Sequence, residues 1–382
     1  MNPSEADILV VGGGIMGCSV AYYLAMEHGV TSCVVDRDAV AAGASGKAGG
    51  FLAKDWHESS GLAPLAALSF DLHCQLADEF GYKTIDFRRL PARSLDIRQG
   101  RHPVLDKAQK NSQKEKSQKY VVPAWLDTPN NHVLRCEKIA DGSNTAQVHP
   151  RKLCASLMRK ACEKGAMFTV GHVQNVEYIG KNNVDVVIDG QLHNFKQVVL
   201  CGGPWSRDAQ QWFGSLPLVT YERAHSIVLS PNVPKNGITP EACFFEFTPA
   251  NGKTQCLEAY PRPDNTVYLC GMSDDEPIPS DGPIGVHPSQ ASIDSLLSMS
   301  KCIAPVLNDA VLLQAQACYL PTTASGLPLI GPVPQTEHSI FIGAGHGCWG
   351  ILCGPATGKL IANALCTGEM DPLMTLYAPP CK

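Results

Sequence analysis

The chain holds 382 residues, 44% apolar and 18% charged, with a formal net charge of −5. That length supplies ample core for two domains or one large α/β unit. A mildly acidic balance gives no footing for nucleic acid or an anionic membrane surface as partner. The sixteen cysteines are scattered, and none belongs to a C-x-x-C. They read as free thiols of a reducing compartment. The leader MNPSEAD carries no secretory signal and the closing PPCK matches no retention or peroxisomal address, so a cytoplasmic location is expected.

Residues 7–36 organise the rest. Ile8 to Val11 is a short apolar run that suits a buried parallel strand. Gly12, Gly14 and Gly17 follow as G-x-G-x-x-G. The first allows a tight turn, the second lets a pyrophosphate approach the backbone, and the third lets helix pack on strand. A helix is expected from about Ile15 to His28, stopped by Gly29, with its first amides directed at phosphate. A strand from Ser32 to Val35 then delivers Asp36, nineteen residues after Gly17, to the hydroxyls of an adenosine ribose. A glycine-rich turn without ligand is the alternative, but the full strand-turn-helix-strand-acid context points to a nucleotide site. Residues 8–26 carry no charge and are long enough to span a bilayer. Their four glycines and tyrosine pair instead indicate a buried strand-turn-helix, and no transmembrane segment is expected.

Ala41 to Gly50, AAGASGKAGG, is too small and glycine-rich for a core, so it reads as a loop against something flat or phosphorylated. Residues 62–80 have helical periodicity, and His73 on them reads as an ordinary surface or packing residue. The run at 107–119 is charged and rich in lysine and glutamine, a solvated loop or exposed helix. Val148 to Gly165 is an amphipathic helix with Pro150 in its first turn. Strands are expected at 167–173, 184–189 and 196–201, the last entering Gly202-Gly203. Residues 216–275 alternate as antiparallel strands and concentrate Phe244, Phe245, Phe247, Tyr260 and Tyr268. Such a face either walls a substrate pocket or fills a sandwich core. A helix over about 289–302 follows. Finally a strand at 339–343 meets Gly343, Gly345, Gly347 and Gly350, and a helix leaves from about Pro355. Three returns to a strand, a glycine loop and a helix start describe one extended cofactor enclosed by the chain.

Taken with their residues, GGGIMG with Asp36, GASGKAGG, VHPRKL, VVLCGGPWS and SGLPLIGP…GAGHGCWGILCGPATGK resemble the D-amino-acid oxidase/glycine oxidase superfamily of FAD-dependent oxidoreductases. The likeness spans residues 7 to about 366 and is nearest to a little-characterised eukaryotic subgroup. It implies an α/β fold in which a Rossmann-like FAD-binding domain interleaves with an α+β substrate domain built on an antiparallel sheet. The FAD domain would collect 1–80, 145–210 and 325–382, and the substrate domain 81–144 and 211–324. The implied activity is oxidation of a C–N bond in an amine or amino-acid-like small molecule. Hydride passes to flavin N5, and O2 or another acceptor reoxidises the flavin.

The resemblance places Gly12, Gly14, Ile15, Met16 and Gly17 at the pyrophosphate turn, with Asp36 and Arg37 at the ribose. Ala44, Ser45, Gly46 and Lys47 fall on the loop passing toward the ring, and Val173 where backbone meets adenine. Gly202, Gly203 and Trp205 form the second loop. Gly345, His346, Gly347, Trp349, Gly350 and Ile351 form the loop over the isoalloxazine. His346 either orients substrate or merely bonds backbone or flavin. One departure matters: the arginine that oxidases of free amino acids use to fork a carboxylate is replaced by Leu320. Arg223 or Arg262 would have to supply the fork from the sheet, unless both are structural ion pairs; Tyr260 stands with them as a candidate catalytic side chain. The spacing of Cys318 to Thr323 resembles the cysteine that carries covalent flavin in sarcosine oxidases, with a plain buried thiol as the alternative. No metal set stands out. An NAD enzyme needs no extra glycine loops at 43–50 and 343–350, and both are present. A flavoprotein without turnover, acting as a redox or interaction module, is the rival from another class.

Overall fold

The computed structural model describes residues 6–100, 122–126, 131–234, 237–250 and 252–380; the lysine-rich run at 107–119 lies outside the described residues. Two sheets carry the molecule. The first has six strands in the order Leu329–Pro332, Ile340–Ala344, Gln197–Leu200, Ile8–Val11, Ser32–Asp36, Met167–Val170. Five of them are parallel, with only Leu329–Pro332 running opposite to its neighbour. Their carboxyl ends therefore share one edge.

The inner strands are apolar on both faces because both faces are covered. Four helices, Ile15–Glu27, Ala63–Phe80, Pro150–Glu163 and Gly350–Thr367, bury Val10, Val34, Val199 and Phe341 on one side. An antiparallel meander of Val173–Gly180, Asn183–Ile188 and Gln191–Phe195 buries Leu9, Cys33, Val198 and Ile342 on the other. The strand expected over 167–173 stops at Val170. There the Gly171 amide bonds the Asp36 carbonyl, and the chain turns back into the meander.

The second sheet has seven strands, ordered Val311–Thr322, Thr220–Ser230, Val267–Asp274, Gln255–Pro261, Ala242–Thr248, Ala92–Gln99, Asn131–Ala140. All neighbours are antiparallel except Ala92–Gln99 with Ala242–Thr248. The expected aromatic alternation resolves into two faces. Phe245 and Phe247 fill a core under the helix Gln290–Ile303, while Phe244, Tyr260 and Tyr268 face the Phe51 segment.

The helices Ile15–Glu27 and Gly350–Thr367 cross in close contact. A Cβ on Gly354 would collide with the Ile15 side chain, and one on Gly358 with Ser19. The second helix starts at Gly350 rather than near Pro355, which lies inside it. Proline lacks an amide hydrogen, so it frees the Ile351 carbonyl. His73 Nε2 bonds that carbonyl at 2.9 Å and the Leu352 carbonyl at 3.1 Å, and Ser69 Oγ accepts from the Ala356 amide at 3.0 Å. His73 is thus no surface residue. It is fully buried, and burial pushes its pKa down to about 4. Ser69 and His73, four residues apart on Ala63–Phe80, mend the broken helix ladder.

Filling the crossing should be costly: Gly358→Leu is expected to lose roughly 3 kcal/mol through overpacking, read as a lowered chemical-denaturation midpoint. An unchanged midpoint would contradict the crossing. Because His73 is held below its unfolded pKa of about 6.5, the unfolded chain binds protons first as pH falls. Stability should be full above pH 6.5 and decline toward pH 4, and His73→Leu should flatten that part of a Tm-against-pH profile.

Candidate active site

The carboxyl edge of the first sheet holds all three glycine loops. Gly12 has φ +107°, and a Cβ there would collide with the Cys201 carbonyl, so the first and second turns lie back to back. A Cβ on Gly17 would strike the Gly12 carbonyl, which is the close helix-on-strand packing the spacing requires. The helix N-terminus is joined to the 43–50 loop by the Ile15 amide, which donates to Ser45 Oγ at 2.9 Å. Asp36 accepts from the Gly13 amide at 2.7 Å and the Asp38 amide at 3.0 Å. Burial raises its pKa, against those backbone donors.

A single cleft runs along this edge, enclosing about 1280 Å³ of non-protein space with its open mouth included. The strand ends Val11, Val35, Leu200 and Ala344 floor it. Gly12, Gly14, Ile15 and Met16 line it with Asp36 and Arg37; so do Ala44 and Ser45 from the 43–50 loop. Val173, Gly202, Gly203 and Trp205 border it, and His346, Gly347, Gly350 and Ile351 close the far side. Gly17, Gly46, Lys47, Gly345 and Trp349 stand behind the wall. Gly46 is pressed against the Ala41 carbonyl and Arg151, Gly345 against Thr323, and Trp349 lies 4.3 Å from the His57 ring. The Lys47 carbonyl accepts from Tyr268 Oη and Gln316 Nε2, which seats its loop on the second sheet.

The candidate catalytic side chains fare differently. His346 lines the cleft, bonded through Nε2 to Thr357 Oγ1 at 2.9 Å. Burial pushes its pKa down to about 3, so it is a neutral imidazole near pH 7 and no proton donor there. Arg223 is paired in register with Tyr319, next to Leu320, and so points to the opposite face from that cleft residue. Its guanidinium forks onto Asp274 at 2.6 and 2.7 Å. That is a structural ion pair. Arg262 lies over the Tyr268 ring at 5.2 Å and reaches the Ala48 carbonyl at 3.5 Å, bracing the loop. Tyr260 is buried, and its hydroxyl donates to Glu258 Oε2 at 2.5 Å. Cys318 is a buried free thiol outside the residues lining the cleft, with its pKa pushed up to about 11 by burial against the Lys47 charge.

Several site residues escaped the sequence reading. Ser206 lines the cleft, and its buried Oγ has no partner among the described residues. Cys348 and Pro283 also line it. Residues 279–283 are tied across the cleft by Trp205 Nε1 on the Pro279 carbonyl and Arg37 on the Ser280 carbonyl. Ser206 sat within the quoted GGPWS, but nothing local marks a distant strap such as Pro283. Among the described residues no group of three or more His, Cys, Asp or Glu is placed to hold a metal ion, and no helix is long and apolar enough to cross a membrane.

Known proteins match this architecture over its whole length. A Schizosaccharomyces pombe protein named as an oxidoreductase, C1F5.03c, is 29% identical across 96% of each chain. Glycine oxidase of Geobacillus kaustophilus is 23% identical over 94% of this chain and 92% of its own. Its crystal structure superposes with a TM-score of 0.76 at 20% identity, covering 98% of each chain. Iminodiacetate oxidase from Chelativorans sp. BNC1 gives 0.72 at 22% identity, over 97% of this chain and 98% of that one. The fold is thus a Rossmann-like α/β unit combined with a substrate unit on the second sheet. Residues 7–364 match the DAO family profile of FAD-dependent oxidoreductases, and the chain belongs to that family.

Proposed function

We propose that the cleft holds FAD and that the chain oxidises a C–N bond of an amine or amino-acid-like small molecule. One observation carries this: three glycine loops, far apart in sequence, line one continuous cleft beside Asp36. The residues present fit the group. Gly203 and Gly347 offer bare backbone, with nothing within 4 Å of where a Cβ would stand, and Ser206 Oγ is unsatisfied. In this reading the first turn and Ser45 hold the pyrophosphate, Asp36 the ribose hydroxyls, and Val173 the adenine edge. His346 and Gly347 lie against the ring system, with Trp349 behind them. The boundaries at 80, 145, 210 and 325 then separate the FAD domain from the substrate domain.

Bound flavin supplies a hydride acceptor for a C–H next to nitrogen, leaving an imine that water hydrolyses, and returns the electrons to O2 or another acceptor. The chain orients the reacting carbon and excludes water. His346 contributes a fixed, uncharged hydrogen-bonding edge, because the bond to Thr357 holds its ring and burial keeps it neutral. Glycine oxidase and iminodiacetate oxidase, by their names, act on amino acids, which supports a small nitrogenous substrate.

Purified protein should be yellow, bleach anaerobically with a member of an amine and amino-acid panel, and recover its colour with an oxidant. Yellow protein that no panel member bleaches would favour a module without turnover. Asp36→Ala should weaken FAD binding about tenfold to a hundredfold, from about 1.5–3 kcal/mol for a hydrogen bond to a charged group, measured by flavin fluorescence. Since Cys318 is a protonated thiol set back from the cleft, acid precipitation should release the colour to the supernatant. A yellow pellet would show a covalent link.

A further inference from the structure

We infer that the substrate is a cationic amine lacking a carboxylate, held between Glu258, Glu222 and the aromatic wall of the second sheet. The inference deepens the proposed function and rests on it. The face of the second sheet toward the cleft is set by register. Glu222 pairs with Leu320, Glu258 with Cys270 and Phe244, and these side chains share one face. Leu320 lines the cleft, which fixes the direction of that face. Cys348 lines it from the opposing loop, and after burial the charges of Glu258 and Glu222 raise its thiol pKa to about 11. Both carboxylates therefore sit on the sheet face turned toward Cys348, outside the residues that line the cleft, with Glu258 half-buried and Glu222 exposed.

Neither carboxylate has a cationic partner among the described residues. Among the described residues the Glu258 carboxylate accepts from Tyr260 Oη, at 2.5 Å, and more weakly from the Cys270 thiol at 3.6 Å, while the exposed Glu222 carboxylate has no ion pair or hydrogen bond. Arg223, the guanidinium next to Glu222 in sequence, is spent on Asp274 behind the sheet, and Arg262, four residues from Glu258, lies over the Tyr268 ring. An α-carboxylate entering here would meet two like charges and the side chain of Leu320, an unpaired burial. An ammonium would meet two counter-charges.

A separate feature points the same way. Trp56 and Phe244, both half-buried, lie 5.2 Å apart, and Phe244 sits 5.9 Å from Tyr260. Aromatic faces beside a carboxylate are a recognition surface for alkylammonium groups. His57, next to Trp56 in the chain, is 6% exposed with its Nε2 unpartnered and its ring against Trp349. Glu258 Oε1, left open by Tyr260, can take the proton that the reacting nitrogen must lose before hydride departs. Tyr260 is then a positioning residue for Glu258.

Lys47 is the competing cation. Its ammonium, depressed by burial, lies near Cys318, two residues along the strand from Leu320. The test uses holoprotein and two inert probes of similar size, benzyltrimethylammonium and benzoate, each titrated against the flavin spectrum. The ammonium is expected to perturb the spectrum and saturate. Glu258→Gln should weaken it at least tenfold, and Glu222→Gln should weaken it to a smaller degree, with flavin content unchanged. In reduction assays phenethylamine should outpace both enantiomers of phenylalanine. Tyr260→Phe should raise KM for the amine and shift the pH profile, with kcat less affected. Benzoate binding that is lost in Lys47→Met would overturn the inference, as would a yellow protein that neither probe perturbs. A colourless protein that takes up no FAD would instead sink the proposed function beneath it.

Discussion

The close crossing of the helices Ile15–Glu27 and Gly350–Thr367 is the constraint on which the site depends. Gly354 and Gly358 present no side chain to Ile15 and Ser19, so the two backbones approach as far as atoms allow. The consequence is positional. Residues 12–15 and 345–350 lead into these two helices, and the crossing brings both loops to one edge of one sheet. Parallel pairing of Ile8–Val11 with Gln197–Leu200 adds the third loop at the same edge. A crevice outside the carboxyl ends of parallel strands is where such folds bind ligands.

The same helix carries its own defect. Pro355 breaks the ladder one turn after the loop that borders the cleft, and buried Ser69 and His73 take over the lost bonds. Repair from a neighbouring helix joins Ala63–Phe80 to the cleft without that helix touching it. Neutral imidazoles, His73 and His346, serve in both places because burial excludes the charged form.

Much of this was legible in the chain. The glycine spacing, the apolar strands and Asp36 are local signals, and most of the residues they nominate line the cleft, with Gly17, Gly46 and Gly345 behind it. Signals of composition also located the antiparallel strands of 216–275. What failed was information held across distance. Arg223 reads equally as a carboxylate fork or a structural ion pair, because nothing near it in sequence reveals Asp274, its register partner on the adjacent strand. His73 reads as a surface or packing residue alike, and only the carbonyls it serves, 278 and 279 residues away, decide for packing. The meander strands Val173–Gly180 and Gln191–Phe195 were missed in part because polar residues fill their outward positions, weakening the apolar pattern.

The central claim is that three separate backbone loops clasp one elongated cofactor. Amide hydrogen exchange of the FAD-loaded and FAD-stripped protein tests it most directly. The account predicts one FAD per chain and joint protection of residues 12–15, 202–203 and 345–350 on loading. Protection confined to the first loop, with the other two exchanging as before, would contradict it.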